Sequence, residues 1–377
     1  IACLRRTGEG GEGGLGNIPP LIGTGIGNKC VPLACKIKGG MLLASIIGIL
    51  FGSIFILLYM VTIIGLILVI IAENRNPLKT IPWVIVLLLA PGVGQDNRKQ
   101  RIIKRRTYKR LIQHPRTGKI PADRCRVPEP YRGLSILLNR TRNAPLRYGS
   151  QIEVYTSGRE KFKALFEDIR QARHHIHIQY YIFADDETGG ALRDLLVEKA
   201  REGVRVRVLY DDVGCWNVPN RFFREMKQAG IEVYPFLRVA FPLLTSKVNY
   251  RNHRKIVVID GRVGYMGGMN VADRYVKGVA WGAWRDLHFR ITGKGVYGLQ
   301  TAFLVDWYVV SKQILSGKEF YPALPVLTNT IMQVVTSGPV TPWRVLSQAE
   351  IYIITNAKQY VYIQTPYFLP TEGLNQA

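Results

Sequence analysis

A stretch of 34 residues without a charged side chain, from Gly39 to Ala72, most constrains how this chain can fold. It is well beyond the ~20 apolar residues with which a helix crosses a bilayer, where each backbone polar group must be paired within the protein. It therefore predicts a transmembrane helix. A secretory signal peptide is the alternative, but the run exceeds the usual apolar core of about 7 to 15 residues and lacks a small-residue cleavage site.

A shorter apolar run, from Ile81 to Gly94, contains two prolines and is marginal for a second crossing, so a single helix or a helical hairpin remains open. Residues 98–119 then hold ten Lys or Arg and no carboxylate, in a chain of formal net charge +24. Such a cluster fits a solvated surface or a nucleic-acid-binding arm. Beside a membrane segment it favours anionic lipid headgroups on the cytoplasmic side.

The segment 249–270 carries an H-x-K pair, a D-G turn and a closing G-G-x-N. Side chains two residues apart on a strand share a face, so His253 and Lys255 are expected to point into one pocket. A neutral imidazole there could attack phosphorus while the ammonium neutralises the phosphate oxygens. The pair therefore indicates phosphate chemistry.

The other polar residues of this segment support the same chemistry. Asn270 is expected to donate a hydrogen bond to a bound phosphate, next to Gly267 and Gly268, which let backbone approach closely. Asp260 lies seven residues from His253, an odd offset that turns it away on a regular strand, so it is predicted to be a turn and orienting residue.

The pattern H-x-K-x4-D followed by G-G-x-N resembles the signature of the phospholipase D superfamily. Three segments, 210–214, 249–260 and 284–291, are similar to those of bacterial cardiolipin synthases. The likeness runs from about Met41, which is expected to be the natural first residue, to the chain end.

The resemblance implies a phosphatidyltransferase that makes cardiolipin from two phosphatidylglycerol molecules and releases glycerol, with a phosphohistidine on His253 and no metal or cofactor. Lys255 and Asp260 would complete the catalytic group, and Asp286 would orient the histidine of a second motif. The rivals are a phospholipase D or nuclease of the same superfamily and a non-catalytic fragment that binds anionic lipid. The transmembrane run argues against a nuclease, so no nucleic-acid partner is expected.

Beyond residue 151 apolar runs alternate with helical patterns. Strands are predicted at 152–157, 175–183, 204–210 and 231–235, and helices at 160–173, 190–202 and 221–229. This order predicts an α/β fold, a phospholipase D-like mixed sheet flanked by helices.

The segment 172–183 recurs in part at 357–368, an offset of 185 residues, which indicates a duplicated domain. In the first copy His253 lies 74 residues after Gln179, so equal spacing would put a second H-x-K near position 438, beyond Ala377. The second repeat is therefore expected to be incomplete. The other half of the site would come from the rest of the same protein or from a second chain, and this chain alone is expected to have little activity.

These observations predict a division into a disordered Gly-rich extension (1–40), a membrane anchor (41–95), a basic juxtamembrane linker (96–150), a first phospholipase D-like domain (151–330) and the start of a second (331–377). The protein is expected in the bacterial inner membrane with its catalytic part in the cytoplasm. Its expected partners are phosphatidylglycerol, other anionic membrane lipids and the membrane itself.

Two further clusters could carry chemistry. His174, His175 and His177 invite a metal site, but no carboxylate or cysteine joins them at ligand spacing, so strand packing and surface exposure are favoured. Asp211 and Asp212 could form an acid and base pair, although turn contacts at a strand end are favoured.

Overall fold

The computed structural model describes residues 47–61, 63–65, 127–142, 144–238, 251–338, 344–365 and 368–377. The chain divides into two units, residues 1–91 and 92–377. Within the described part of the first unit, one helix, α1 (Ile47–Gly65), is long and apolar enough to cross a membrane. It lies inside the predicted transmembrane run, and nearly all its side chains are exposed. The second apolar run and the basic cluster lie outside the described residues.

The second unit contains, in chain order, α2 (Glu129–Arg142), β1 (Arg147–Tyr148), β2 (Gln151–Tyr155), α3 (Gly158–Arg170), β3 (His175–Tyr180), α4 (Glu187–Arg201), β4 (Arg205–Asp211), α5 (Asn220–Gln228), β5 (Glu232–Phe236), β6 (Ile256–Ile259), β7 (Val263–Gly267), α6 (Asp273–Lys277), β8 (His288–Thr292), α7 (Val296–Ser311), a 3-10 turn (Lys318–Phe320), β9 (Ile331–Met332), α8 (Val345–Asn356) and α9 (Glu372–Gln376). The seven strands and helices predicted between 152 and 235 all form within about three residues of their predicted positions.

Strands β2 to β8 form one mixed sheet in the order β2-β8-β7-β6-β3-β4-β5. The pairs β3–β4 and β4–β5 are parallel and the remaining pairs are antiparallel. Helix α7 packs on one face, while α3, α4 and α5 cover the other. The predicted mixed sheet flanked by helices is thus confirmed. Since both faces are covered, every residue of the central strands β3 and β6 is buried.

The central strand β3 shows how the two faces differ. Ile176 and Ile178 point into the core under α3 and α4. His177 and Gln179 are also buried, but on the α7 face, where they bond Gln300 and Asp306. Alternation along one strand therefore separates an apolar core from a layer of polar contacts that leads to the sheet edge.

The hairpin between β6 and β7 turns at Asp260 and Gly261, whose φ angles of 52° and 65° are both positive. Tight hairpins favour such angles, and a D-G pair adopts them readily. The Asp260 carboxylate accepts the backbone N–H groups of Arg173, His174 and His175 at 2.8 to 2.9 Å. The predicted turn is confirmed, and the residue also aligns the start of β3.

The last part of the predicted juxtamembrane linker (96–150) contains regular structure, since α2 and β1 form there. Ser135 and Leu138 are buried on α2, and the half-buried Leu134 and Thr141 extend that stripe at helical spacing. Strand β1 pairs with β9, across the predicted domain boundaries.

The segment 360–364, which corresponds to part of β3 in the repeat, does not form a strand. Residues 357–365 have no regular secondary structure, and Tyr360 and Tyr362 are exposed. The matching strand β3 is held between β4 and β6 and buried on both faces, whereas no described strand pairs with 360–364. Strand propensity needs such neighbours. The helix that precedes the repeat is present as α8, as α3 precedes β3.

Candidate active site

The H-x-K residues lie at the edge of the sheet where β3 and β4 end and β6 begins. They were expected to lie on a strand, but β6 starts at Ile256, so both residues precede the strand. They nevertheless contact each other: Nζ of Lys255 donates to the backbone carbonyl of His253 at 2.8 Å and lies 2.9 Å from its Nδ1. His253 is exposed, whereas only 4% of Lys255 is exposed. One group can therefore meet a ligand while the other supplies charge beneath it.

The protonation states of this pair suit nucleophilic attack. Burial lowers the pKa of Lys255 to about 8, and the nearby Asp286 and Asp211 oppose this shift. Partial burial and then the Lys255 charge lower the pKa of His253 below its ordinary value. Among the described residues, the ammonium bonds only to His253 and forms no ion pair with a carboxylate. The site thus offers a neutral imidazole beside a buried cation able to receive an anion.

Two buried carboxylates hold the residue before the nucleophile candidate. Oδ2 of Asp211 accepts the backbone N–H of Asn252 at 2.9 Å, and Oδ2 of Asp306 accepts its side-chain amide at 2.9 Å. The same Asp306 carboxylate accepts Arg254 and, at 2.7 Å, Gln179. The backbone around His253 is therefore fixed from β4, β3 and α7 together.

The favoured interpretation of Asp211 is confirmed, because its Oδ1 also accepts the N–H groups of Val213 and Gly214 at 3.0 Å in the turn after β4. Sequence reasoning did not identify Asn252 or Asp306 as residues of the site. The available signal for Asp306 was its position as the one charged residue in the 16-residue helix α7.

An aromatic ring forms one wall of the site. Tyr181, directly after β3, lies with its ring centroid 4.5 Å from that of His253 and 5.5 Å from Nζ of Lys255. Burial and the neighbouring Asp211 charge raise the pKa of the Tyr181 hydroxyl, with Arg251 opposing. The phenol therefore stays protonated at neutral pH, and its ring face can stabilise the adjacent cation.

The glycine pair at the end of β7, Gly267 and Gly268, makes room for Asp286. The N–H of Gly268 donates to the carbonyl of Leu287 at 2.8 Å. A Cβ added at Gly268 would lie 1.9 Å from Oδ1 of Asp286, and one at Gly267 would lie 2.4 Å from the Leu287 oxygen. Asp286 precedes β8 rather than lying in it. The glycines therefore allow the end of β7 to approach the segment before β8, which brings the Asp286 carboxylate near His253.

Asn270 is buried and braces the site from within. Its Oδ1 accepts the N–H of Ile182 at 3.0 Å, and its Nδ2 donates to the Tyr275 hydroxyl at 2.8 Å. It thereby ties the segment after β3 to α6. A phosphate contact from its second amide hydrogen stays a prediction.

Asp260 lies at the other end of β6 from His253. The two are seven residues apart, on the order of 20 Å of extended chain. Its carboxylate is engaged by three backbone N–H groups. These contacts support a role in orienting the start of β3, and its expected place in the catalytic group stays a prediction.

His175 and His177 pack in the interior and His174 is half-buried, in agreement with the favoured interpretation of strand packing and surface exposure. His175 and His177 are buried on the α7 face and bond the two side-chain atoms of Gln300 at 3.1 and 2.8 Å. The His177 ring stacks on Phe303 with centroids 4.4 Å apart. Burial lowers the pKa of His175 to about 4, so both rings are neutral packing elements at neutral pH.

Replacing Gly268 by alanine tests the link between Asp286 and the H-x-K pair. The added methyl must displace the Asp286 carboxylate, which helps keep Lys255 protonated, so activity at pH 8 is expected to fall about tenfold. Activity should also begin to fall at a lower pH than in the wild type, because Lys255 loses its proton more readily without the nearby carboxylate. Gly190→Ala in α4 is the control, since its Cβ meets nothing within 4 Å. Wild-type behaviour of Gly268→Ala would show that Asp286 does not act on this pair.

Comparisons with known proteins identify the family of this chain. A family domain described as "Cardiolipin synthase, PLD-like domain" matches residues 165–280. A cardiolipin synthase of Halalkalibacterium halodurans is 37% identical over 341 residues, which cover 86% of this chain and 67% of that protein. This chain belongs to the cardiolipin synthase family. A second such relative, from Geobacillus kaustophilus, is 38% identical over 336 residues, 85% of this chain and 67% of that protein.

Cardiolipin synthases are phosphatidyltransferases of the phospholipase D superfamily, with phospholipids as substrates. The chain spans about two thirds of the length of these relatives. Among solved structures, NucT from Helicobacter pylori is similar at 14% identity and a TM-score of 0.35, covering 43% of this chain and 98% of that one. Phosphatidylserine synthase of Haemophilus influenzae is similar at 18% identity and a TM-score of 0.35, covering 58% of this chain and 46% of that one.

Proposed function

We propose that His253 takes the phosphatidyl group of one phosphatidylglycerol and passes it to a second, producing cardiolipin and glycerol. The observation that supports this is the contact between an exposed neutral imidazole and a buried ammonium without a carboxylate partner among the described residues. The imidazole nitrogen would form a bond to phosphorus as the bond from phosphorus to the glycerol oxygen breaks. A hydroxyl of the second phosphatidylglycerol would then displace the histidine.

Lys255 would neutralise the non-bridging oxygens as negative charge accumulates on them. Its Nζ lies 2.9 Å from Nδ1 of His253 and 3.3 Å from Nε2, so an oxygen of the attacked phosphate would meet it as the P–N bond forms. The scheme needs no metal or cofactor because this ammonium supplies the charge.

The leaving glycerol oxygen needs a proton. The sequence contains one H-x-K, at His253. We assign the proton to the histidine of a second such motif, supplied by another part of the full-length protein or by a second chain. General acid help of this kind contributes about 10²- to 10⁴-fold to a rate.

The test is to trap the intermediate on the full-length gene product with phosphatidylglycerol labelled in its phosphate. Acid-labile, base-stable label should appear on the peptide that contains His253. It should disappear in His253→Ala and persist in His174→Ala, a change at a histidine remote from the pair. Undiminished labelling of His253→Ala would assign the nucleophile to a different histidine.

The pH dependence of kcat/KM follows from the same two groups. His253 must be neutral, and its pKa lies below the ordinary 6.5, so the rate should rise as pH increases through a value below 6.5. Lys255 must be protonated, and its pKa of about 8 predicts a fall as pH passes that value. Rates on a short-chain phosphatidylglycerol between pH 5 and 10 would show both limbs. In Lys255→Arg the fall near pH 8 should vanish, since a guanidinium stays charged; its persistence would assign that limb to another group.

We further propose that the catalytic unit lies on the cytoplasmic side of the inner membrane. The support is the cluster of ten basic residues at 98–119, because Lys and Arg near membrane segments are retained in the cytoplasm. An alkaline phosphatase fusion after Lys119 should be inactive, and activity there would contradict the proposal. A fusion at Lys79 should be active only if the run from Ile81 to Gly94 crosses as well.

A further inference from the structure

A tight turn between α6 and β8 presents a tryptophan to solvent. The N–H of Val279 donates to the carbonyl of Gly282 at 2.9 Å, and the N–H of Gly282 donates back to Val279 at 3.0 Å. Only Ala280 and Trp281 lie between them. Trp281 is 85% exposed, although a large aromatic ring gains free energy when it leaves water.

The base of this turn is fixed to the folded unit. Gly278 has a φ of 82°, and a Cβ there would lie 2.8 Å from the Gly282 oxygen. On the far side, the Trp284 ring contacts the buried Tyr275 edge to face at 5.9 Å, and the Arg274 guanidinium lies 5.3 Å from the Trp284 centroid. The tip is therefore held outward by closed hydrogen bonds and packing on both sides.

This exposed tip belongs to the edge of the sheet that carries the H-x-K pair. Asp286, whose charge opposes the lowering of the Lys255 pKa by burial, follows Trp281 by five residues, and Leu287 next to it is 46% exposed. Trp216, in the turn after β4 at the same edge, is 52% exposed. Several large apolar side chains thus stand in water around a site for a phosphate ester, which a monomeric surface usually avoids unless something covers it.

We propose that this edge docks on the bilayer, with Trp281 inserted among the lipid headgroups next to the catalytic site. The inference rests on the proposed function, because a phosphatidylglycerol phosphate lies at that depth while its acyl chains remain in the membrane. Tryptophan partitions to this interface through its apolar ring and its polar N–H. The exposed Arg285 beside the turn adds positive charge toward an anionic headgroup layer. A soluble partner would not need this surface to open onto the active site.

The direct test uses the full-length protein in vesicles of phosphatidylglycerol and phosphatidylcholine. The chain contains six tryptophans, so the Trp281 contribution is the difference between wild type and Trp281→Phe. Brominated phosphatidylcholine should quench that difference signal, and aqueous acrylamide should quench it weakly. Strong acrylamide quenching without bromine quenching would overturn the proposal. Shielding from both quenchers would also overturn it, in favour of a protein partner or a second copy.

A kinetic test separates docking from chemistry. Trp281→Ala should lower kcat/KM about tenfold on long-chain phosphatidylglycerol in vesicles, the effect of losing one buried aromatic ring, and leave a monomeric short-chain analogue unaffected. Trp281→Tyr should restore most of the vesicle activity. Equal losses on both substrates would overturn docking as the cause. His253→Ala must lose activity on both substrates, so its result reports on the proposed function independently of Trp281.

Discussion

Replacing Lys255 by methionine is expected to lower kcat for phosphatidyl transfer about 10³-fold, the effect of removing one preorganised donor to a developing oxyanion. The ammonium is buried beside His253 and bonds only to that residue among those described. Methionine keeps the length and much of the volume of the side chain. The loss should therefore report the missing charge and not a cavity.

The matched control is Lys161→Met. Lys161 is also buried, but on α3, where Nζ donates to the Tyr180 hydroxyl at 2.9 Å and lies 3.6 Å from the Phe162 centroid. Burial lowers its pKa far below the ordinary value, since desolvation disfavours the charged form. Its replacement should leave kcat within about twofold and lower stability by no more than about 1 to 3 kcal/mol, because methionine fills the space but the Tyr180 hydroxyl loses its partner.

Single-turnover rates of the full-length protein on a short-chain phosphatidylglycerol would compare the two variants. A Lys255→Met rate within tenfold of wild type would mean that another group neutralises the phosphate. An equal fall in both variants would point to general damage to the fold.

Replacing Asp306 by alanine is expected to reduce the free energy of unfolding by about 3 to 5 kcal/mol, as when one partner of a buried ion pair is removed. Its carboxylate is nearly inaccessible and accepts Gln179, Asn252 and Arg254. Without it, the buried amides of Gln179 and Asn252 and the partly buried Arg254 lose an acceptor. For a domain of about 200 residues this corresponds to a fall in Tm of roughly 10 °C.

The measurement is thermal unfolding of the full-length protein in detergent, followed by tryptophan fluorescence, which includes the buried Trp307. Asp194→Ala is the control, because that carboxylate is 68% exposed and pairs with Arg193 at the surface. Exposed pairs contribute about 0 to 1 kcal/mol. Combining Asp306→Leu with Arg254→Met should recover part of the loss, since the unpaired buried charge is then absent. A Tm for Asp306→Ala equal to that of the control would show that other contacts hold the 252–254 segment.

The sequence determined the features that depend on neighbouring residues. Apolar runs bounded by helical patterns predicted the elements from β2 to β5, because strand and helix periods are local properties. The D-G pair predicted the turn at Asp260, and the spacing of two residues brought His253 and Lys255 together. An uncharged run predicted a transmembrane helix, and the described helix α1 within that run is long and apolar enough to cross a membrane.

Only the tertiary structure decided which distant residues contact the H-x-K segment. Asp306 meets Arg254 across 52 positions, and Asp211 meets Asn252 across 41, through contacts that no spacing rule anticipates. The segment 360–364 has a sequence typical of a strand, but no described strand pairs with it. A strand forms only when its backbone groups are paired. Long-range hydrogen bonds and burial depend on how separate elements pack, so they are properties of the fold and not of any one segment.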